Sequence, residues 1–291
     1  MTKLGIIGGT GLYSLPGLAK IRERRVRTPF GAPSGPLHIG EIDGLEVVFL
    51  PRHGTHHTLL PEEINYRANI MALKQIGVTR IVSVCAVGSL HGRIHPGDFV
   101  IADQFIDRTR KGRADTFFGR GIVAHVSFAE PVCPALRAAL VGAARAAGAR
   151  VHDGGAYVNM EGPAFSTQAE SHLYRQFGAC VIGMTSLTEA KLAREAEMCY
   201  ATLAAVSDYD CWNSEHASVS IDQILGTMKR NNEMTIRILA AFTRALPAGG
   251  GCACGSSLRD AILTPLAHVP PATRARLRPL LAPYLARQKR K

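Results

Sequence analysis

The chain has 291 residues, 46% of them hydrophobic and 20% charged, enough to bury a full core in one large domain or two small ones. No apolar run approaches the ~20 residues of a membrane helix, and no signal-peptide layout opens the chain, so a cytoplasmic protein away from membranes is expected. The net charge of +11 does not point to nucleic acid: seven Arg or Lys and no acid between Pro271 and Lys291 supply +7 of it, and aromatic residues do not interleave with them.

In chain order, short β-branched runs predict strands at 4–7, 46–50, 80–87, 98–106, 155–160, 180–185 and 199–207. Helical patterns fall at 61–76, 134–148, 167–177, 187–197 and 221–245. Pro61 followed by two glutamates opens the first helix, and Ser220 with Asp222 opens the last. "EIDGLEV" around Gly44 reads as a hairpin, so the sheet is mixed. The predicted fold class is α/β, one domain over 1–246. Residues 247–291 follow as a linker and a helical, basic appendage.

The seven cysteines do not form a disulfide framework in a chain of this length. Cys85, Cys133, Cys180, Cys199 and Cys211 stand singly among apolar residues, as buried reduced thiols do. Cys252 and Cys254, one residue apart in "GCACG", do not match the usual zinc pair and read as a surface turn, with a strained local disulfide as the alternative.

Three strand ends look built for an anion. In "LGIIGGTGLY" (4–13), Gly9 and Gly11 fit a dinucleotide fingerprint, but Ser14 replaces its third glycine and residues 27–36 offer no ribose-binding carboxylate. A triphosphate loop would need Gly-Lys-Ser/Thr, which is missing. What remains is a turn whose amides and Thr10 hydroxyl can hold one oxyanion, or a tight structural turn. In "LPRHGTHH" (50–57), Arg52 offers a fork of donors and His53 another; the three histidines have no adjacent carboxylate or cysteine, and no metal is expected. In "VCAVGSL" (84–90), backbone amides around Ala86 can face an anion.

At "AVSDYDCW" (205–212) Asp208 and Asp210 end an apolar strand. Two carboxylates alone make a poor cage for a hard metal. Burial and a like charge instead raise the pKa of one, which can then donate a hydrogen bond.

Together with "NYRAN" (65–69), "MEGPAFST" (160–167) and "GMTSLTEAKLAREAEMCYA" (183–201), these motifs run in order from residue 4 to 245 and resemble the methylthioadenosine phosphorylases of the trimeric purine nucleoside phosphorylase group. The resemblance implies the nucleoside phosphorylase fold, a mixed and partly barrel-like sheet flanked by helices. It implies cleavage of methylthioadenosine by inorganic phosphate to adenine and 5-methylthioribose 1-phosphate, in methionine and purine salvage. The partners implied are the nucleoside, phosphate as co-substrate and further copies of the chain in a trimer, with no cofactor. It places Thr10, Arg52, His53, Cys85, Ala86 and Thr185 around phosphate, Met184 beneath the ribose and Phe165 on the base. Asp208 and Asp210 would read the base edge and supply catalysis. Ile221 and Ile224 would line the methylthio pocket beside Val219, His125 would close it from a neighbouring subunit, and Ser166 and Ile221 would set specificity.

An aspartate pair suits the amino group of adenine, whereas relatives acting on 6-oxopurines place Asn there; a methylthioinosine or inosine phosphorylase is the alternative. Cys85 stands where relatives often carry Ser, Thr or Asn, and Ala164 where Arg is frequent.

Overall fold

The computed structural model describes residues 3–9, 16–109, 112–213, 221–246 and 252–288, with side chains left out at 221–225 and 287–288. Thr10, Val219 and Ser220 therefore lie outside the described residues, as do the side chains of Ile221, Asp222 and Ile224.

The strands are β1 (Lys3–Gly8), β2 (Ala19–Arg24), β3 (Leu37–Ile42), β4 (Leu45–Pro51), β5 (Arg80–Ser89), β6 (Phe99–Ile101), β7 (Gln104–Arg108), β8 (Val151–Asp153), β9 (Ala156–Met160), β10 (Ala179–Gly183) and β11 (Cys199–Tyr209). The helices are α1 (Tyr66–Gln75), α2 (Pro134–Ala146), α3 (Gln168–Gln176), α4 (Ser186–Glu195), α5 (Ile221–Ala245), α6 (Pro271–Arg276) and α7 (Arg278–Gln288). The strands form one mixed sheet in the order β2-β3-β4-β1-β5-β10-β9-β7, and β11 pairs with both β5 and β6. Parallel pairing of β1 with β4 and β5, and of β5 with β11, brings the C-terminal ends of these four strands to one side.

Strand alternation builds the layers. Leu4, Ile6, Val47 and Phe49 pack on α2 and α5 with Leu140, Leu239 and Phe242, while Ile7, Val48 and Leu50 face a second cluster with Ile70, Leu73 and Leu192. Leu277, Leu280 and Leu281, from the basic end of the chain, are buried in that second cluster. A third cluster fills a ring of strands: β5, β11 and β6 pair in succession, β6 runs into β7, and β7, β9 and β10 lead back to β5. Tyr157, Val87, Val100, Val181 and Val206 lie inside this small barrel.

The expected hairpin is present. Asp43 (φ 48°) and Gly44 (φ 80°) make a two-residue turn with both φ positive, matched to the twist of β3 and β4. The strand predicted over 98–106 is two strands, because the chain leaves β11 for β9 at Ala102–Asp103, where Asp103 Oδ1 accepts from Gly155 N–H at 2.9 Å. The helix predicted at 61–76 begins at Tyr66 instead. Asn65 caps it, accepting from Ala68 N–H at 3.1 Å, while Glu63 turns back to the Leu60 amide. Edge strand β2 was not predicted: all six residues are exposed and it is held to its neighbours through Lys20–Glu41 and Arg22–Glu46 pairs, leaving no apolar periodicity to detect. Among the described residues no helix is long and apolar enough to cross a membrane.

Candidate active site

Along β5, Cys85 and Val87 face the barrel interior, whereas Ala86 is exposed on the opposite face. β1 pairs with β5 only as far as Ser83, and β10 begins at Gly88, so one edge of β5 is open between them. Val84 O points to this edge, accepting from Arg52 Nη1 at 2.9 Å, and Leu90 N–H points the same way to Cys180 O. By the two-residue repeat, the Ala86 amide lies on that same open edge. The donor available on the open edge at this step is thus the backbone amide. The Cys85 thiol is turned into the core, where it accepts from Ser186 Oγ at 3.5 Å and Tyr157 Oη at 3.8 Å, and burial raises its pKa.

Arg52 leaves the end of β4, its amide bonded to Gly8 O. Its guanidinium is buried against Glu189: Nε donates to Oε1 at 2.5 Å and Nη2 to Oε2 at 3.3 Å, with Nη2 also 2.6 Å from Ser83 Oγ. Burial works against the charge, but the facing carboxylate outweighs it and holds Arg52 above its ordinary value. The fork expected to face phosphate is therefore shared with Glu189, leaving one Nη1 proton beyond the Val84 bond. His53 Nδ1 lies 2.8 Å from Leu59 O, and burial lowers its pKa to about 4. The ring is then neutral, donates through Nδ1 and keeps a lone pair on Nε2. His57 stacks on it, ring centroids 4.4 Å apart.

From the other direction β10 delivers Met184 and Thr185. Thr185 is the N-cap of α4, buried, and its hydroxyl does not cap the helix. Asn159 holds this corner, accepting from Leu187 N–H and donating to Met184 O. Arg113, on a loop, donates to Glu161 Oε1 at 2.6 Å and also to Glu161 O and Met184 O, which fixes the "MEGPAFST" loop against Met184. Phe165 on that loop is 82% exposed, presenting a free aromatic face. Ser166 O accepts from the Cys211 thiol at 3.2 Å, so this loop is tied to the aspartate strand end. His125 is exposed on a separate loop, its amide bonded to Ala261 O.

Asp208 and Asp210 crowd over Gly88, two residues beyond Ala86. A Cβ there would meet Asp208 Oδ1 at 3.2 Å and Asp210 Cβ at 3.4 Å, crowding both aspartates. A bulge between Val206 and Asp208 re-aims the end of β11. Ser207 Oγ lies 2.6 Å from Asp208 Oδ2 and 3.2 Å from Val87 O. One hydroxyl proton cannot fully serve both. The shorter contact is the bond Ser207 donates to Asp208 Oδ2, which partly offsets the rise in the Asp208 pKa. Burial and, after it, the Asp210 charge raise the Asp208 pKa. Among the described residues, Asp210 Oδ2 is buried without a hydrogen-bond partner.

Glu189, Asn159, Arg113 and Ser207 were not singled out from sequence. Glu189 does carry a signal: it stands four residues after Thr185 in "TSLTE", in the first turn of a helix that follows a glycine-ended strand. At the far end of α4, Glu195 accepts from Thr116 Oγ1 and Phe117 N–H, and burial pushes its carboxyl up to about 7 from an ordinary 4.5. Between those values the folded chain binds a proton that the unfolded chain releases, so stability falls as pH rises through the window. Glu195→Gln is expected to abolish this slope, worth ~3 kcal/mol between pH 5 and 8, as read from urea midpoints. Equal slopes in both proteins would remove Glu195 as its source.

The model of the phosphorylase superfamily matches residues 3–244. The chain belongs to this superfamily. Its likeness extends over the whole phosphorylase domain: the S-methyl-5′-thioadenosine phosphorylase of Geobacter sulfurreducens is 54% identical over 282 residues, 97% of this chain and 99% of that protein. A crystal structure of a methylthioadenosine phosphorylase from an Antarctic soil metagenomic library superposes with a TM-score of 0.93 at 44% identity, covering 96% of this chain and 99% of the other. A variant adenosine/methylthioadenosine phosphorylase of Schistosoma mansoni, crystallised with methylthioadenosine, gives 0.80 at 38% identity, over 86% and 93% of the two chains. The single α/β domain with its mixed sheet, part of it closed as a barrel, is the nucleoside phosphorylase fold.

Proposed function

We propose that this chain cleaves S-methyl-5′-thioadenosine with inorganic phosphate, giving adenine and 5-methylthioribose 1-phosphate. The observation that carries this reading is the aspartate pair, half-buried Asp208 and buried Asp210, across Gly88 from the open edge of β5. The names of relatives around half identical over their full length support it.

The chemistry follows from the charges that develop. As the C1′–N9 bond breaks, positive charge grows on the ribose and negative charge on the departing purine. Phosphate seated by the Ala86 amide, Thr185, the remaining Arg52 proton and Thr10, with neutral His53 accepting from its hydroxyl, stabilises the first and supplies the oxygen that bonds to C1′. The Cys85–Ala86 step contributes through the Ala86 amide and not through the core-facing thiol, and Met184 packs beneath the sugar. Asp208 donates its proton to N7 of the base and relieves the second charge. The proton that hydrogen phosphate gives up restores Asp208 through solvent. No cofactor is needed, because phosphate is both nucleophile and counter-charge.

Asp210 selects the base. Its Oδ2, without a hydrogen-bond partner among the described residues, suits the N6 amino group of adenine, whereas a 6-oxo group would set acceptor against acceptor. An unpaired buried polar atom costs ~1–3 kcal/mol, or about 10–100-fold in preference. Phe165 stacks on the ring and Ser166 helps fix its edge. Ile221 and Ile224 cover the methylthio group, which a methylene-sized gain favours only modestly over a 5′-hydroxyl. The working form is a homotrimer in the cytoplasm, with His125 reaching the pocket of a neighbouring copy. Incubating the protein with phosphate and each nucleoside tests the assignment: methylthioadenosine is expected to turn over at least ~10-fold faster than methylthioinosine or inosine. Faster cleavage of the 6-oxo compounds would overturn it.

A further inference from the structure

Cys133, Cys199, Cys252 and Cys254 meet at the opposite end of β11 from the aspartates; Cys199 begins that strand and Asp208 nearly ends it, roughly 30 Å away at strand spacing. Their four Sγ atoms all lie within 4.8 Å of one another. Cys133 to Cys252 is 3.4 Å and Cys199 to Cys252 is 3.6 Å. The group is the one set of potential metal ligands found among the described residues; the His53–His57 stack is not among them.

We propose that these four cysteines form a tetrathiolate site for a structural zinc ion. Tetrahedral Zn–S bonds of ~2.3 Å set neighbouring sulfurs ~3.8 Å apart, close to the spacings observed. The ligands are also fixed by separate elements before any ion arrives. Cys133 is the N-cap of α2, locked by Pro134, with the positive end of the helix beside it. Cys252 and Cys254 flank the entry to a 3-10 turn, and Cys254 N–H donates to Cys252 Sγ at 3.3 Å, the kind of amide contact that stabilises a thiolate. The one-residue spacing of "CAC" fails as a zinc pair by itself; the other two ligands come from about 120 and 53 residues earlier in the chain, as the cysteine separations show. Four ligands with no open position make a closed site with no catalytic role.

What the ion would hold is the returning segment after α5. That segment places Leu258, Leu266, Leu277, Leu280 and Leu281 in the core and pairs Ile262 with Ala124, next to His125. Elemental analysis of the full-length protein, purified without chelators, is expected to find one zinc per chain. The Cys252→Ser/Cys254→Ser double variant should lose at least nine-tenths of it and melt about 5 °C or more lower. Cobalt exchanged into the protein should show thiolate-to-metal charge-transfer bands that the variant lacks. Zinc absent with all seven thiols reactive, zinc absent with four thiols recovered only after reduction, iron in place of zinc, or zinc undiminished in the variant would each overturn the proposal.

Discussion

Asp208→Asn should lower kcat/KM for methylthioadenosine by about 10²–10⁴-fold while leaving the melting temperature nearly unchanged. An asparagine amide can still donate a hydrogen bond, but it cannot hand over a proton, so the loss falls on kcat. The side chain sits at the rim of the barrel rather than in its packed interior, and Ser207 can donate to an amide oxygen as well as to a carboxyl. The same substitution should narrow the preference for adenine over 6-oxopurine nucleosides, because an amide nitrogen, with two protons, can donate to a 6-oxo group as well as to N7. Steady-state rates at saturating phosphate on both substrate types read the two effects together. Unchanged methylthioadenosine turnover would sink the proton-donor role.

The second large effect concerns Arg52, and it divides between folding and binding. Arg52→Ala leaves the Glu189 carboxylate, whose side chain is 1% exposed, without its cation. Breaking a buried pair in this way costs about 3–5 kcal/mol, which lowers the melting temperature by roughly 10 °C. A raised phosphate requirement in that variant alone would be ambiguous. Arg52→Met combined with Glu189→Met removes both charges, and stability is expected to recover most of the way. The phosphate KM should stay raised by at least about 10-fold, since the remaining Nη1 proton and its positive charge are gone. Recovery of phosphate affinity along with stability would take Arg52 out of the anion site.

Much of the fold was legible because its buried strands and amphipathic helices carry strong periodicities: α5 occupies the span expected of it, and the Asp43–Gly44 turn announced its hairpin. Edge strand β2 carried no such pattern, and the start of α1 was displaced because Asn65 is a better cap than the stretch around Pro61. At the candidate site, residues at strand ends were singled out because glycines and carboxylates mark those ends. Glu189 and Arg113 act through partners more than 40 positions away in the chain, a relation that no local motif encodes. The basic end of the chain was read by its charge, yet its leucines do the packing. The cysteines looked solitary for the same reason: only folding joins Cys133 and Cys199 to the "CAC" turn.

Helix α4 spans ten residues and is anchored at both ends by carboxylates with different duties, Glu189 against Arg52 and Glu195 against the backbone of Phe117. A rigid rod fixed at two points transmits displacement from one to the other. Random mutagenesis around Thr116 and Phe117, about 15 Å along the rod from Thr185 at the helical rise per residue, should therefore yield clones that look like co-substrate affinity mutants though they never touch the ligand. A directed-evolution screen run at low phosphate would enrich changes there before it enriched changes in the cradle itself.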